Sequence, residues 1–222
     1  MQAPTMDKPV FLEGLQSSDV AAFMARGRTR QFRAGELIIT GGERATTLFL
    51  LCSGQVKYYR LTRGGDEVLL RLLIPGEIFG LGTLLRNPLP YMGSADAVSQ
   101  CDIVTWEHKS VVELADKYPQ LAQNALRIVL GYLTKYADRH VGMVSRTAEQ
   151  RLAHTLLRLG KEHGRAKPHG IEVDATNEHL GGLSDMSLFT ASRLLAEWRR
   201  QGTVGKQRGK VLIRVPEALL VD

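Results

Sequence analysis

Seven basic residues, Arg193, Arg199, Arg200, Lys206, Arg208, Lys210 and Arg214, share a 22-residue span with a single acid, Glu197. Cations at that density suit a polyanionic partner, and double-stranded nucleic acid is the first candidate. Just upstream stand side chains that could do the reading. Thr176 and Ser187 carry hydroxyls placed for phosphates, and Thr190, Ser192 and Arg193 would lie on the outward face at the start of a helix. Leu188 and Phe189 cannot hydrogen-bond a base but can pack on thymine methyls. Lys206 and Arg208 would add charge neutralisation from a hairpin. Catalytic chemistry finds no comparable constellation. No phosphate-gripping GxxxxGK[ST] loop, GxSxG elbow or HExxH pair occurs, and His154 and Glu149 have no third partner. An enzyme is not expected. Cys52 and Cys101 are too few for a disulfide framework and lack zinc or iron–sulfur spacing.

The elements that must position these residues follow from pattern. Asn177–Leu183 and Ser187–Arg200 read as two short helices joined by Ser184-Asp185-Met186, and Val204–Val215 as a hairpin turning at Arg208-Gly209. Such a pair of helices needs a small residue where the second crosses the first, which Gly181 supplies. It also needs a turn residue that tolerates positive φ, where Asp185 is acceptable and glycine easier. Ser184 stands at a position that prefers an apolar side chain. Ser187 is a suitable N-cap. Ala148–Lys161 is amphipathic, and 164–170 reads as a loop. The order is that of a winged helix-turn-helix binding DNA.

Upstream, Pro119 to Ser145 reads as one long helix. Ala122, Leu126, Val129, Leu133, Tyr136, His140 and Met143 alternate four and three apart, a heptad seam that predicts pairing with an identical helix. Leu130, Ala137, Val141 and Val144 form a second stripe that could pack on the N-terminal region. That region, roughly 30–107, holds short β-rich runs punctuated by Gly35, Gly41-Gly42, Gly54, Gly64-Gly65 and Gly76, which predicts a small antiparallel barrel or jelly roll. The expected fold is α+β in three parts: an effector-sensing β-roll over 1–118, a dimerisation helix over 119–145 and a winged helix-turn-helix over 146–222.

The 222 residues, 44% hydrophobic and 23% charged, are those of an ordinary globular chain, excluding collagen-like and disordered classes. Formal net charge is +6, and residues 146–222 hold 13 Lys and Arg against 9 Asp and Glu. No apolar run approaches the roughly 20 residues that span a bilayer, and residues 1–10 lack a secretory apolar stretch. A cytoplasmic protein without a membrane partner is expected.

Ala34-Gly35-Glu36-Leu37-Ile38, Leu48 through Lys57, Leu72 through Gly80 and Thr190 through Leu195 together resemble the CRP/FNR family of bacterial transcription regulators. The resemblance covers about residues 30–215. It implies a cyclic-nucleotide-binding-like β-roll, a homodimer on a palindromic operator with half-sites roughly 34 Å apart, and contact with RNA polymerase. In relatives that bind cyclic AMP, Phe-Gly is followed by a glutamate for the ribose and later an Arg-Ser pair for the phosphate. Here Leu81 follows Phe79-Gly80, and Tyr91-Met92 fill the later place, with Arg86 nearby as a displaced cation. Cyclic AMP is therefore not the expected effector. The N-terminal cysteine cluster of the iron–sulfur sensors is missing, whereas haem stays open through His140, His108 or Met92. A small organic effector in a pocket of Gly80, Leu81, Tyr91, Met92, Tyr136 and Val141 is a further reading, and so is a collapsed pocket in a ligand-independent regulator. The family's Arg and Glu after the recognition-helix cap are replaced by Leu188 and Phe189.

Overall fold

The run Leu48-Phe49-Leu50-Leu51 shows how the N-terminal half is built. Leu48 and Leu50 enter one buried cluster with Val104, Trp106, Phe11, Phe23 and Leu121. Phe49 and Leu51 enter another with Phe32, Val56, Leu73, Ala95 and Ile103. Successive strand residues face opposite ways, so a strand covered on both sides reads as a continuous apolar run.

The computed structural model describes residues 9–207 and 209–219. After a 3₁₀ turn at Val10–Leu12 come α1 (Ser17–Ala25), β1 (Arg28–Phe32), β2 (Leu37–Ile39), β3 (Thr47–Ser53), β4 (Val56–Leu61), β5 (Glu67–Leu73) and β6 (Ile78–Phe79). A 3₁₀ turn at Leu81–Leu84 leads to β7 (Ser94–Ala97), β8 (Cys101–Glu107), α2 (His108–Lys117) and the long α3 (Pro119–Ser145). Then follow α4 (Ala148–His163), β9 (Arg165–Lys167), β10 (Gly170–Asp174), α5 (Asn177–Leu183), α6 (Leu188–Arg200), β11 (Val204–Gln207), β12 (Lys210–Ile213) and a last 3₁₀ turn at Pro216–Leu219.

Two compact units result, one ending at Leu133 and the other beginning at Thr134, so the division falls inside α3. In the first, two four-stranded antiparallel sheets, ordered β1-β8-β3-β6 and β2-β7-β4-β5, enclose the Phe49 cluster. Helices and the N-terminal turn cover the outer face of the first sheet through Phe11, Phe23, Val111, Leu114 and Leu121. This is the expected two-sheet roll. In the second, the sheet ordered β11-β12-β10-β9 accompanies α4, α5 and α6, with Leu152, Leu156, Val173, Leu180, Leu195, Trp198 and Ile213 buried. Thr147 closes the start of α4 by a reciprocal capping box with Gln150.

Two expectations change. Residues 164–170 are not a loop: Arg165–Lys167 pairs with β10 as a short polar edge strand held by backbone bonds that its side chains do not advertise. β1, likewise polar, pairs with β8 from Arg28↔Thr105 to Phe32↔Cys101. The second stripe of α3 is not what packs on the roll. Leu121, Asn124 and Ala125 do that, while Leu130, Val141 and Val144 stay 52%, 59% and 80% exposed.

Candidate nucleic-acid interface and effector cleft

The turn between α5 and α6 is tight. Met186 N–H donates to Gly181 O at 3.0 Å, and a Cβ on Gly181 would sit 3.0 Å from Met186 O. A small residue is therefore needed there. Asp185 takes φ of 53°, the one left-handed non-glycine among the described residues. Ser184, at the place that favours an apolar residue, is buried, and its Oγ has no hydrogen-bond partner among the described residues. α6 then divides cleanly. Ala191, Leu195 and Trp198 are buried, and Trp198 Nε1–H donates to Glu149 Oε1 at 3.1 Å. Leu188 is 47% and Phe189 84% exposed, with Arg193 exposed beside them. Two exposed apolar side chains at a helix start, one of them almost wholly so, cost solvation free energy and suit a surface that something later covers.

The hydroxyls are more committed than their residue types suggest. Thr176 Oγ1 accepts from His179 N–H at 3.1 Å and caps α5, while Ser187 Oγ accepts from Thr190 N–H at 3.2 Å and caps α6. Ser192, expected on the outward face, is turned to α5, where its Oγ accepts from Asn177 Nδ2 at 2.8 Å. One step beyond buried Ala191, its side chain points along the helix pair. Arg193 and Arg199 face no carboxylate among the described residues. Arg200 instead pairs with Glu197, and Lys210 meets Glu172 at 3.2 Å and Asp174 at 3.4 Å. The hydrogen bond from Lys210 holds the Glu172 carboxyl below its usual range. Those two acids come from β10, outside the basic span, so counting within the span overstated its free charge. Arg208 lies outside the described residues, as does the Lys206 side chain; the hairpin joining β11 to β12 turns at Gly209 with φ of 73°.

The expected seam is open on α3. Leu126, Val129, Leu133 and Met143 are 60%, 46%, 62% and 51% exposed; His140 is exposed and Tyr136 half-buried.

Four of the six expected pocket residues, Gly80, Leu81, Tyr91 and Met92, belong to the first unit. Gly80, at φ of 80°, lies so close to Thr47 O that a Cβ there would come within 2.6 Å. Leu81 packs against the Trp106 cluster. Tyr91 closes on β3: its O–H donates to Thr47 O at 2.9 Å and accepts from Thr47 N–H at 3.0 Å. Burial raises its phenol pKa, and the expected orienting hydroxyl is already taken. Tyr136 and Val141 belong to the second unit. Tyr91 and the exposed Met92 do line a cleft of about 490 Å³ with Gly41, Gly42, Arg60, Leu61, Pro90, Gly93 and Ser94. Arg60, missed in the sequence, faces no carboxylate among the described residues. Its only sequence signal was a cation in an apolar strand. Arg86 is held elsewhere, on Asp116 at 3.0 and 3.1 Å.

His108 Nδ1 lies 2.9 Å from Thr83 O, and no three metal-ligating side chains cluster among the described residues. Both cysteines are free, their thiol pKa values raised by burial. No described helix is long and apolar enough to cross a membrane.

Comparison with known proteins places these observations. Residues 29–118 match the cyclic nucleotide-binding domain family, and 150–221 the Crp-like helix-turn-helix domain family. The Cyclic AMP receptor protein of Thermus thermophilus is 29% identical over 215 residues, covering 96% of this chain and 95% of its own. The CRP-like cAMP-activated global transcriptional regulator of Mycobacterium tuberculosis is 24% identical over 209 residues, 93% of each. Among solved structures, FixK2 from Bradyrhizobium japonicum superposes with a TM-score of 0.76 at 21% identity, over 87% of this chain and 95% of its own. The matching families and relatives are regulators, not enzymes.

Proposed function

The chain belongs to the CRP/FNR family of DNA-binding transcription regulators, and from that premise we propose that it acts as a homodimer on a palindromic operator, controlled by an effector other than cyclic AMP. The observation that carries this reading is the open apolar seam of α3, whose Leu126 and Leu133 are 60% and 62% exposed at heptad spacing. Apolar residues so arranged are covered by a second copy of the same helix in a two-stranded coil. Two-fold symmetry then presents two α6 helices to two half-sites one helical turn apart, roughly 34 Å. Arg193 would contact guanine or phosphate, Leu188 and Phe189 thymine methyls, and Thr176, Ser187 and Thr190 the phosphates. Lys206 and Arg208 add charge from the hairpin. RNA polymerase is a partner through the β9–β10 hairpin if the protein activates, and a DNA partner places it in the cytoplasm.

Against cyclic AMP stand Leu81 where a ribose acceptor is needed and Arg86 tied to Asp116. The cleft beside Tyr91 and Met92 supports a small organic effector, which acts by favouring one arrangement of the dimer. Haem through His140, His108 or Met92 is the second reading, favoured by the exposure of His140 and Met92. Native mass spectrometry of the purified protein with DNA tests the proposal. Two chains per duplex, with binding that falls steeply as salt rises, support it. One chain per duplex contradicts it. The mass of any co-purified group separates haem from a small metabolite.

A further inference from the structure

The turn between α5 and α6 is held from outside the motif. Arg139 on α3 grips the Asp185 carboxylate with two N–H groups, Nε to Oδ2 at 2.8 Å and Nη2 to Oδ1, and Nη2 also donates to Gly182 O at 2.6 Å. The pair is largely enclosed, with side chains 19% and 21% exposed. Arg151 on α4 donates to Ser184 O at 2.9 Å and Asp185 O at 3.3 Å, and to Arg146 O at 3.0 Å. Lys135, one helical turn before Arg139, meets Glu162 on α4 at 2.9 Å. Both α3 contacts lie in the unit that begins at Thr134.

These contacts explain why aspartate stands where glycine would be easier. A left-handed φ of 53° disfavours most side chains, yet glycine would remove the carboxylate that Arg139 grips. A forked guanidinium–carboxylate pair fixes angle as well as distance, unlike a single hydrogen bond.

We propose that Arg139 is a positioning residue for DNA reading: its fork on Asp185 fastens the last turns of α3 to the helix-turn-helix, so that α3 and not the short Arg146–Thr147 connection sets the aim of α6. The proposal rests on the DNA-binding reading above. It makes residues 134–145 part of the reading head, and it places the flexing point of the helix near Gly131 rather than at the Arg146–Thr147 connection. Gly131 is exposed, with nothing within 4 Å of a Cβ built there.

The test uses the full chain and a duplex it selects from random-sequence DNA, beside the same duplex with one half-site scrambled. Arg139→Met and Asp185→Gly each lower the preference for the intact duplex about tenfold, with half-site affinity within twofold of wild type. The double variant is no worse than Arg139→Met alone, because that substitution already removes the fork along with the bond to Gly182 O. Arg139→Lys, which keeps the charge without the fork, falls between. Amide exchange over 134–145 speeds up in both single variants while α5 and α6 keep their protection. An unchanged preference, additive losses, or faster exchange across the entire second unit would overturn the proposal, the last because it makes Arg139 a general support of the fold. Failure of the DNA-binding reading would appear in the wild-type protein, as no selected duplex, and exchange over 134–145 would then decide the latch alone.

Discussion

The first and second units treat their polar side chains in opposite ways. In the roll, the groups that might have met an effector are closed on the protein's own backbone or on a surface acid: Tyr91 and Thr83 on Thr47 O, Arg86 on Asp116. In the head, Leu188, Phe189 and Arg193 stand out in solvent on a helix whose opposite face is buried. Partnered groups have little left to give a ligand, whereas uncovered apolar groups gain by being covered and an unpaired cation stays available to an anionic partner. The difference teaches that exposure without a partner marks function here more reliably than residue type. By that measure the α3 seam belongs with the head, and within the roll Arg60 and Met92 outrank Tyr91.

The largest effect expected from breaking that contrast is at the seam. Leu133→Asp removes two symmetry-related leucines from a dimer interface, each contributing about 2 kcal/mol, which weakens association about a thousandfold. Sedimentation should show monomer at micromolar concentration, and an unaltered dimer would place the interface elsewhere. Next comes Arg193→Ala, expected to weaken binding to a selected operator about 10- to 100-fold; a loss confined to one base position marks a guanine contact, a uniform loss a phosphate. Smaller is the change from replacing operator thymines with deoxyuridine, which deletes only methyl groups. A fewfold loss that vanishes in Phe189→Ala ties the methyl to that ring, while equal loss in both proteins dissociates them.

The smallest effect is on stability with pH. Partial desolvation, aided by the charges of Arg146 and Arg158, depresses the His154 pKa below 6.5. The unfolded chain therefore takes up protons first as pH falls through 6.5, and the second unit loses stability there. Burial, the largest single influence, would raise the Glu162 pKa, but the hydrogen bond and charge of Lys135 together with the charges of Arg158 and His163 hold the carboxyl below 4.5, so its contribution is present above that value and lost in acid. Because His154 sits on an exposed face, the slope should be shallow, and His154→Gln should flatten it in thermal melts between pH 7 and 5.5.

What could be read from the sequence divides along similar lines. The boundaries of α3, α5 and α6 and the hairpin turn at Gly209 follow from glycine, proline and capping residues, which act locally. β1 and β9 were invisible because Arg28–Phe32 and Arg165–Lys167 are polar and owe their strand form to backbone pairing with distant segments. The exposure of Leu188, Phe189 and Arg193 was legible, since position on the helix decides it locally. The commitment of Ser192 to Asn177, of Tyr91 to Thr47 and of Lys210 to β10 was not, since each partner lies far along the chain or on another element. Asp185 could be marked as a left-handed turn residue; its second role needed Arg139, 46 positions earlier, brought against it by the fold.

The central claim, a two-fold-symmetric reading head, is tested most directly by selecting random-sequence DNA with the purified full-length chain and sequencing the bound fraction. The account predicts an inverted repeat with half-site centres about one helical turn apart and thymine enriched at the positions facing Leu188 and Phe189. A direct repeat, a single unpaired half-site or no enrichment at all would contradict it.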